Sequence, residues 1–114
     1  MDCRDLLLRL GDDEVLVLDC RPDEQWHSMD VQIPGALRIS AEELVHAARS
    51  LPDDELIIVY SISRDAHARR ACRMLRLRGF DAVVLEGGLR AWISQGFPTE
   101  RAALRQGMAI PSVL

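Results

Sequence analysis

The sequence predicts an open, mostly parallel α/β sheet with helices on both faces, and three observations carry that prediction. The segments "EVLVLDC" (14–20), "ELIIVY" (55–60) and "AVVLE" (82–86) are short, continuously apolar runs rich in β-branched residues. Such runs are the signature of strands covered on both sides, because a strand with one wet face would alternate polar and apolar residues. Between them lie stretches of helical periodicity, and strands alternating with helices give a parallel sheet. Glycine and proline punctuate the joins.

Taken in order, Asp2 caps a first helix whose Leu6, Leu7 and Leu10 share one face and which Gly11 ends. "EVLVLDC" is the first buried strand. Pro22 suits the first turn of a short helix, where Asp23 and Glu24 meet the positive end of its dipole. "VQIPGALRIS" breaks at Pro34-Gly35 and resumes as a short strand. Ser40 followed by Glu43 is a capping box, opening a helix that runs to about Ser50. Pro52 and two aspartates turn the chain into "ELIIVY". After the loop, Ala68, Ala71, Cys72 and Leu75 fall on one helical face and Arg69, Arg70, Arg73 and Arg76 fall elsewhere. Gly79 stops that helix, "AVVLE" follows, and Gly87-Gly88 makes a tight turn into a helix ended by Gly96 and Pro98. Residues 99–114 carry Ala102, Leu104, Met108 and Ile110. They are expected to pack on their own domain or against a second copy, as a homodimer.

The 114 residues make one domain, large enough to bury a core without staples. The formal net charge of −4 argues against a nucleic-acid or anionic-membrane partner, and no apolar run approaches the roughly 20 residues of a membrane span. The acidic start lacks the pattern of a secretion signal, so the expected location is cytoplasmic. Cys3, Cys20 and Cys72 are odd in number, far apart and without metal-ligand spacing, which fits reduced thiols. His27 and His46 follow no metal spacing either and are expected at the surface. Neither metal nor cofactor is expected. Trp26 and Trp92 are read as core aromatics.

In open parallel sheets, ligands sit beyond the carboxyl ends of the strands. The loop "YSISRDAH" (60–67) leaves such an end. It offers Ser61, Ser63, Arg64, Asp65 and His67 but no cysteine.

Several pieces, in this order, carry a family resemblance: "VLVLDCRPDEQW", "IPGALRIS", "ELIIVY" with its loop and helix, "LRGF", and "VVLEGGLRAWISQGFP". Over residues 3 to 98 the chain resembles a rhodanese-like domain, a sulfurtransferase fold also used by some phosphatases. The resemblance implies a catalytic cysteine directly after the second long strand, at the floor of a loop whose inward N–H groups, with the following helix end, cradle an anion. The matching position here is Ser61, and the cradle corresponds to Ser63, Arg64, Asp65, Ala66, His67 and Ala68. Asp19, Arg21, Gly35, Gly87, Gly88 and Trp92 match structural motif positions, with Asp19 and Arg21 bracing a strand end. Where the family pattern reads "GHIPGA", this chain has Val31-Gln32 before Ile33. Its loop is about one residue longer than the usual sulfurtransferase loop.

A serine hydroxyl ionises far above neutral pH and cannot carry a persulfide, so sulfurtransferase turnover through residue 61 is not expected. Ser61, His67 and Asp65 contain the residue types of a hydrolase triad, but crowding on one short loop works against convergent geometry. Arg64 lies within the loop, placed to clamp an oxyanion, while Asp65 opposes one. Two readings result. In the first the module lacks sulfurtransferase activity and binds a small oxyanion (sulfate, phosphate or thiosulfate) or a protein partner at the loop. In the second it is a thiosulfate sulfurtransferase or persulfide carrier, through Cys20 or because Ser61 is an introduced substitution.

Overall fold

The computed structural model describes residues 1–64 and 66–102. Asp65 and residues 103–114, among them Leu104, Met108 and Ile110, lie outside the described residues. Four parallel strands form the central sheet in the order β3-β1-β4-β5. They are β1 (Val15–Asp19), β3 (Leu37–Arg38), β4 (Leu56–Tyr60) and β5 (Asp81–Val84). The register runs from Val15 opposite Leu56 to Asp19 opposite Tyr60, and from Leu56 opposite Asp81 to Val59 opposite Val84. The expected α/β class is therefore correct, with the two longest apolar runs side by side at its centre.

Successive side chains of a strand point to opposite faces, and β4 serves a separate core on each. Ile57 and Val59 face α3 (Ala41–Ala47) and α4 (Ala66–Leu77), joining Leu18, Leu44, Ala71, Cys72 and Leu75. Ile58 and Tyr60 face α1 (Cys3–Arg9) and α5 (Gly88–Ser94), joining Leu6, Ile33, Leu85, Leu89 and Trp92. Each large apolar side chain so enclosed contributes roughly 1.5–3 kcal/mol. That two-sided demand is why these runs show no polar alternation.

The helix signals act locally as read. Asp2 accepts from the Asp5 N–H at 2.8 Å and caps α1. Ser40 and Glu43 complete both arms of the capping box on α3, at 3.2 and 3.1 Å. Those Ser40 hydrogen bonds are the main reason that the Glu43 carboxyl titrates below its ordinary range. A single 3₁₀ turn, Ala48–Ser50, finishes that segment at the expected residue.

Three details depart from expectation. Pro22 stands outside α2 (Asp23–Ser28), at its N-cap, where its carbonyl accepts from the Trp26 N–H at 3.0 Å. Trp26 is buried, yet among charges: the guanidinium carbons of Arg21 and Arg38 lie 4.9 and 5.0 Å from its ring centroid. Finally β2 (Val31–Gln32) pairs antiparallel with β6 (Glu100–Arg101), forming a small separate ladder. Glu100 there accepts from the Gln32 side-chain amide at 2.6 Å and from the Gly35 N–H at 3.0 Å, closing the Pro34-Gly35 turn.

Candidate functional site at the carboxyl end of the sheet

Strand β4 delivers Ser61 to the carboxyl edge of the sheet, immediately after Tyr60. Ser61 is 0% exposed, and its hydroxyl donates to Gln25 Oε1 of α2 at 2.9 Å. That hydroxyl hydrogen is committed to an amide oxygen. A triad would need it on an imidazole, so the Ser61 contact does not have the form that nucleophilic activation requires. His67, the second residue of α4, is half-buried.

The loop is held from the opposite side by α5. Its first N–H groups have no partner inside the helix, and two of them are used on the loop: Leu89 donates to Ser61 O and Arg90 to Ile62 O, both at 2.9 Å. This contact depends on Gly88. A Cβ built there would lie 2.6 Å from Ser61 O, 2.8 Å from Ser63 N and 2.9 Å from Ser63 Cα, and its φ of +63° is left-handed. Gly87 precedes it as the helix cap. Trp92 anchors the same helix from below, fully buried, with its indole N–H donating to Pro98 O at 2.7 Å and its ring edge-on to Phe97.

Beneath the loop lies a buried polar network. Asp19, at the end of β1, and Arg21 are each 0% exposed and joined in a bidentate pair with contacts of 2.8 to 3.0 Å. The remaining guanidinium donors reach Met29 O and Val31 O at 3.1 and 3.0 Å. Tyr60 donates to Asp19 Oδ2 at 2.7 Å and accepts from the Ile33 N–H at 3.2 Å. Burial first, then the neighbouring Asp19 charge, drives the Tyr60 phenol well above its ordinary range. The network ties β1, β4 and the segment from Met29 to Ile33 into one unit. A buried charge pair is stable only with its remaining donors and lone pairs satisfied, and here they are.

Beside it, Cys20 borders a cavity of about 220 Å³ whose wall includes Asp23, Glu24, Ser40, His67 and Arg70. The thiol is itself 0% exposed, and burial, reinforced by Asp19, pushes its pKa up to about 12. Cys3 and Cys72 are also buried and raised, chiefly by desolvation. Nucleophilic sulfur is the thiolate. Burial disfavours that form in all three cysteines relative to an exposed thiol.

The structure thus brings Ser61, Ser63 and the start of α4 to one strand end. Arg64 is exposed and lines a groove toward β5 with Ser63, Arg69 and Glu86. Ala66 is exposed, and Ala68 belongs to the apolar core under α4. Gln25, Tyr60 and Arg38 were missed from sequence. Arg38 pairs with Asp23 and Glu43 at 2.6 and 3.0 Å and donates to Arg21 O, closing the site's flank. Only the hydroxyl of Tyr60, a polar tip inside an apolar run, could have signalled a buried partner. Among the described residues no group of three or more His, Cys, Asp or Glu side chains could hold a metal ion, and no helix is long and apolar enough to cross a membrane.

Comparison with known proteins agrees with this architecture. The family model of the rhodanese-like domain matches residues 2–95. The solution structure of a rhodanese-like domain from Anabaena sp. is 36% identical, covering 89% of this chain and 77% of that one, with a TM-score of 0.74. A protein from Lactobacillus plantarum is 25% identical over 89% of this chain and 86% of its own, with a TM-score of 0.79. A Rhodopseudomonas palustris protein described as a possible tyrosine phosphatase shares the fold at 20% identity, covering 87% of this chain and 82% of its own, with a TM-score of 0.74. The search of curated proteins gave no match. With the family model spanning most of its length and the parallel sheet in place, the chain belongs to the rhodanese-like domain family.

Proposed function

We propose that this rhodanese-like module does not carry out persulfide transfer as written, and that it binds a small oxyanion or a protein partner at the loop of residues 61–68. The observation that carries the reading is Ser61 itself: at the end of β4, fully buried, its hydroxyl given to Gln25. A hydroxyl held this way neither ionises near neutrality nor offers a sulfur for a second sulfur to leave from. The raised pKa values of all three cysteines support the same conclusion.

Binding at the loop rests on backbone rather than on the side chain at position 61. The start of the 12-residue α4 supplies positive potential next to the loop. Arg64 adds a guanidinium at its rim. Solvent competition and screening place such a site near millimolar affinity, on the order of 4 kcal/mol.

Two measurements test the proposal. Mass spectrometry after thiosulfate treatment should show no added sulfur, and a thiosulfate:cyanide assay no turnover, with Ser61→Cys run beside the parent. Robust turnover by the parent that survives Cys20→Ser and Cys72→Ser would overturn it. Turnover lost on Cys20→Ser would instead favour the second reading, in which the thiol at the cavity of His67 and Arg70 is the working sulfur. In an NMR titration with sulfate, amide shifts should concentrate on residues 61–68 and shrink in Arg64→Ala. Shifts scattered over the surface arginines alone would remove the loop as a binding site.

A further inference from the structure

We infer that the groove between α4 and the outer side of β5 is a docking surface for an extended acidic peptide segment of a partner protein, with apolar residues interspersed among its carboxylates. Two adjoining depressions of about 450 and 460 Å³ share Arg69 and Val84. Arg64, Arg69, Arg73 and Arg76 stand along them, and Leu77 and Val84 contribute apolar surface. Leu77 is 81% exposed, a large hydrophobe left open in the depression that Arg69, Arg73 and Arg76 line.

Charge complementarity selects the occupant. The protein is acidic overall, with net charge −4, yet the ion pairs among the described residues are made by Arg21, Arg38 and Arg101, not by these arginines. Arg76 donates through Nε to Ala82 O at 2.7 Å, leaving its terminal nitrogens for a ligand. Glu86 is the acidic side chain at the loop end of the groove.

Spacing excludes a lone oxyanion as the fitting ligand. Arg69, Arg73 and Arg76 recur at helical intervals along one side of α4, so the row is about 10 Å long at 1.5 Å per residue. A single sulfate meets one end of that row. Carboxylates on alternate residues of an extended chain, roughly 6.5–7 Å apart, can meet two or three of its arginines. The exposed leucine and Val84 then offer apolar contacts to the residues between. No aromatic side chain lines the groove, so the stacking platform of a single-stranded nucleic-acid site is missing.

The partner is held by side chains rather than as an added strand. The outward carbonyl of Ala82 is taken by Arg76, that of Val84 accepts from the Met1 amino group at 2.9 Å, and the Glu86 N–H donates to Met1 O at 2.8 Å. This inference does not depend on the loop reading: Arg69, Arg73, Arg76, Leu77 and Val84 belong to α4 and β5, and Ser63 and Arg64 only border the groove from the loop.

The test uses fluorescence anisotropy with a fluorescein-labelled peptide in which glutamates alternate with leucines. Binding should weaken about tenfold in Arg69→Gln/Arg73→Gln, should fall as salt screens the charges, and should persist in Ser61→Ala. A peptide with every glutamate changed to glutamine should lose binding to the unaltered protein by a similar factor, a readout that needs no variant to fold. Equal binding of the glutamate and glutamine peptides would overturn the proposal. So would indifference to the double substitution, loss of binding in Ser61→Ala, or tighter competitive binding of a single-stranded RNA oligomer or a phosphatidylserine vesicle.

Discussion

Replacing Gly88 by alanine should destabilise the protein far more than replacing Gly35, although both glycines have left-handed backbones. At Gly35 φ is +81° and nothing lies within 4 Å of an added Cβ. The cost there is conformational alone, about 1–2 kcal/mol. At Gly88 φ is +63°, so a similar term applies, but the methyl would also meet three backbone atoms between 2.6 and 2.9 Å. Backbone cannot swing aside as a long side chain can, and relieving such a contact costs a further ~1–3 kcal/mol. The relief has a direction: the loop must move away from α5, stretching the Leu89–Ser61 and Arg90–Ile62 hydrogen bonds, each worth about 1 kcal/mol. With both hydrogen bonds lost the sum is roughly 4–7 kcal/mol for Gly88→Ala against about 1–2 for Gly35→Ala. With an unfolding entropy of about 2.1 cal/mol/K per residue over 114 residues, each kcal/mol moves Tm by roughly 4 °C. Thermal unfolding followed by circular dichroism should therefore show Gly88→Ala at least ~8 °C below Gly35→Ala, with urea midpoints in the same order. Melting temperatures within ~2 °C of each other would refute the claim that α5 is pressed against the loop through that glycine.

Other expectations follow from the buried groups. Arg21→Met leaves Asp19 charged and enclosed, and should cost about 3–5 kcal/mol; a urea titration finding less than ~1 kcal/mol would mean that the pair is not sealed from water. Tyr60→Phe removes one donor to Asp19 and the acceptor of the Ile33 N–H, for about 1–3 kcal/mol. Cys20 should resist iodoacetamide in the native state at pH 8 and react on unfolding, since its thiol is buried and its pKa lies at about 12; prompt native labelling would contradict that burial. Because this pKa is raised from 9.0 to about 12 on folding, the contribution of Cys20 to stability is intact below about pH 9. It is lost progressively from there toward pH 12, as the unfolded thiol ionises first.

Much of the fold could be read directly from the chain. A continuous apolar run such as "ELIIVY" states that both its faces will be covered, and the capping residues Asp2 and Ser40 act on groups three residues away. Information of that range survives without a tertiary structure. The position of Ser61 at a strand end was legible for the same reason, and with it the limits that a hydroxyl sets on sulfur chemistry.

What the tertiary structure alone decided are the contacts between distant segments. Gln25 and Ser61 are 36 positions apart, Asp19 and Tyr60 are 41, and Gln32 and Glu100 are 68. The β2–β6 ladder, the stacking of Trp26 against two guanidiniums and the arginine groove along β5 likewise have no local pattern to announce them. The sequence therefore determined which segments are helix and strand and which atom stands at the candidate site. Folding decided what that atom's hydroxyl touches, because a polar side chain's partner is chosen by which segments the two apolar cores bring together.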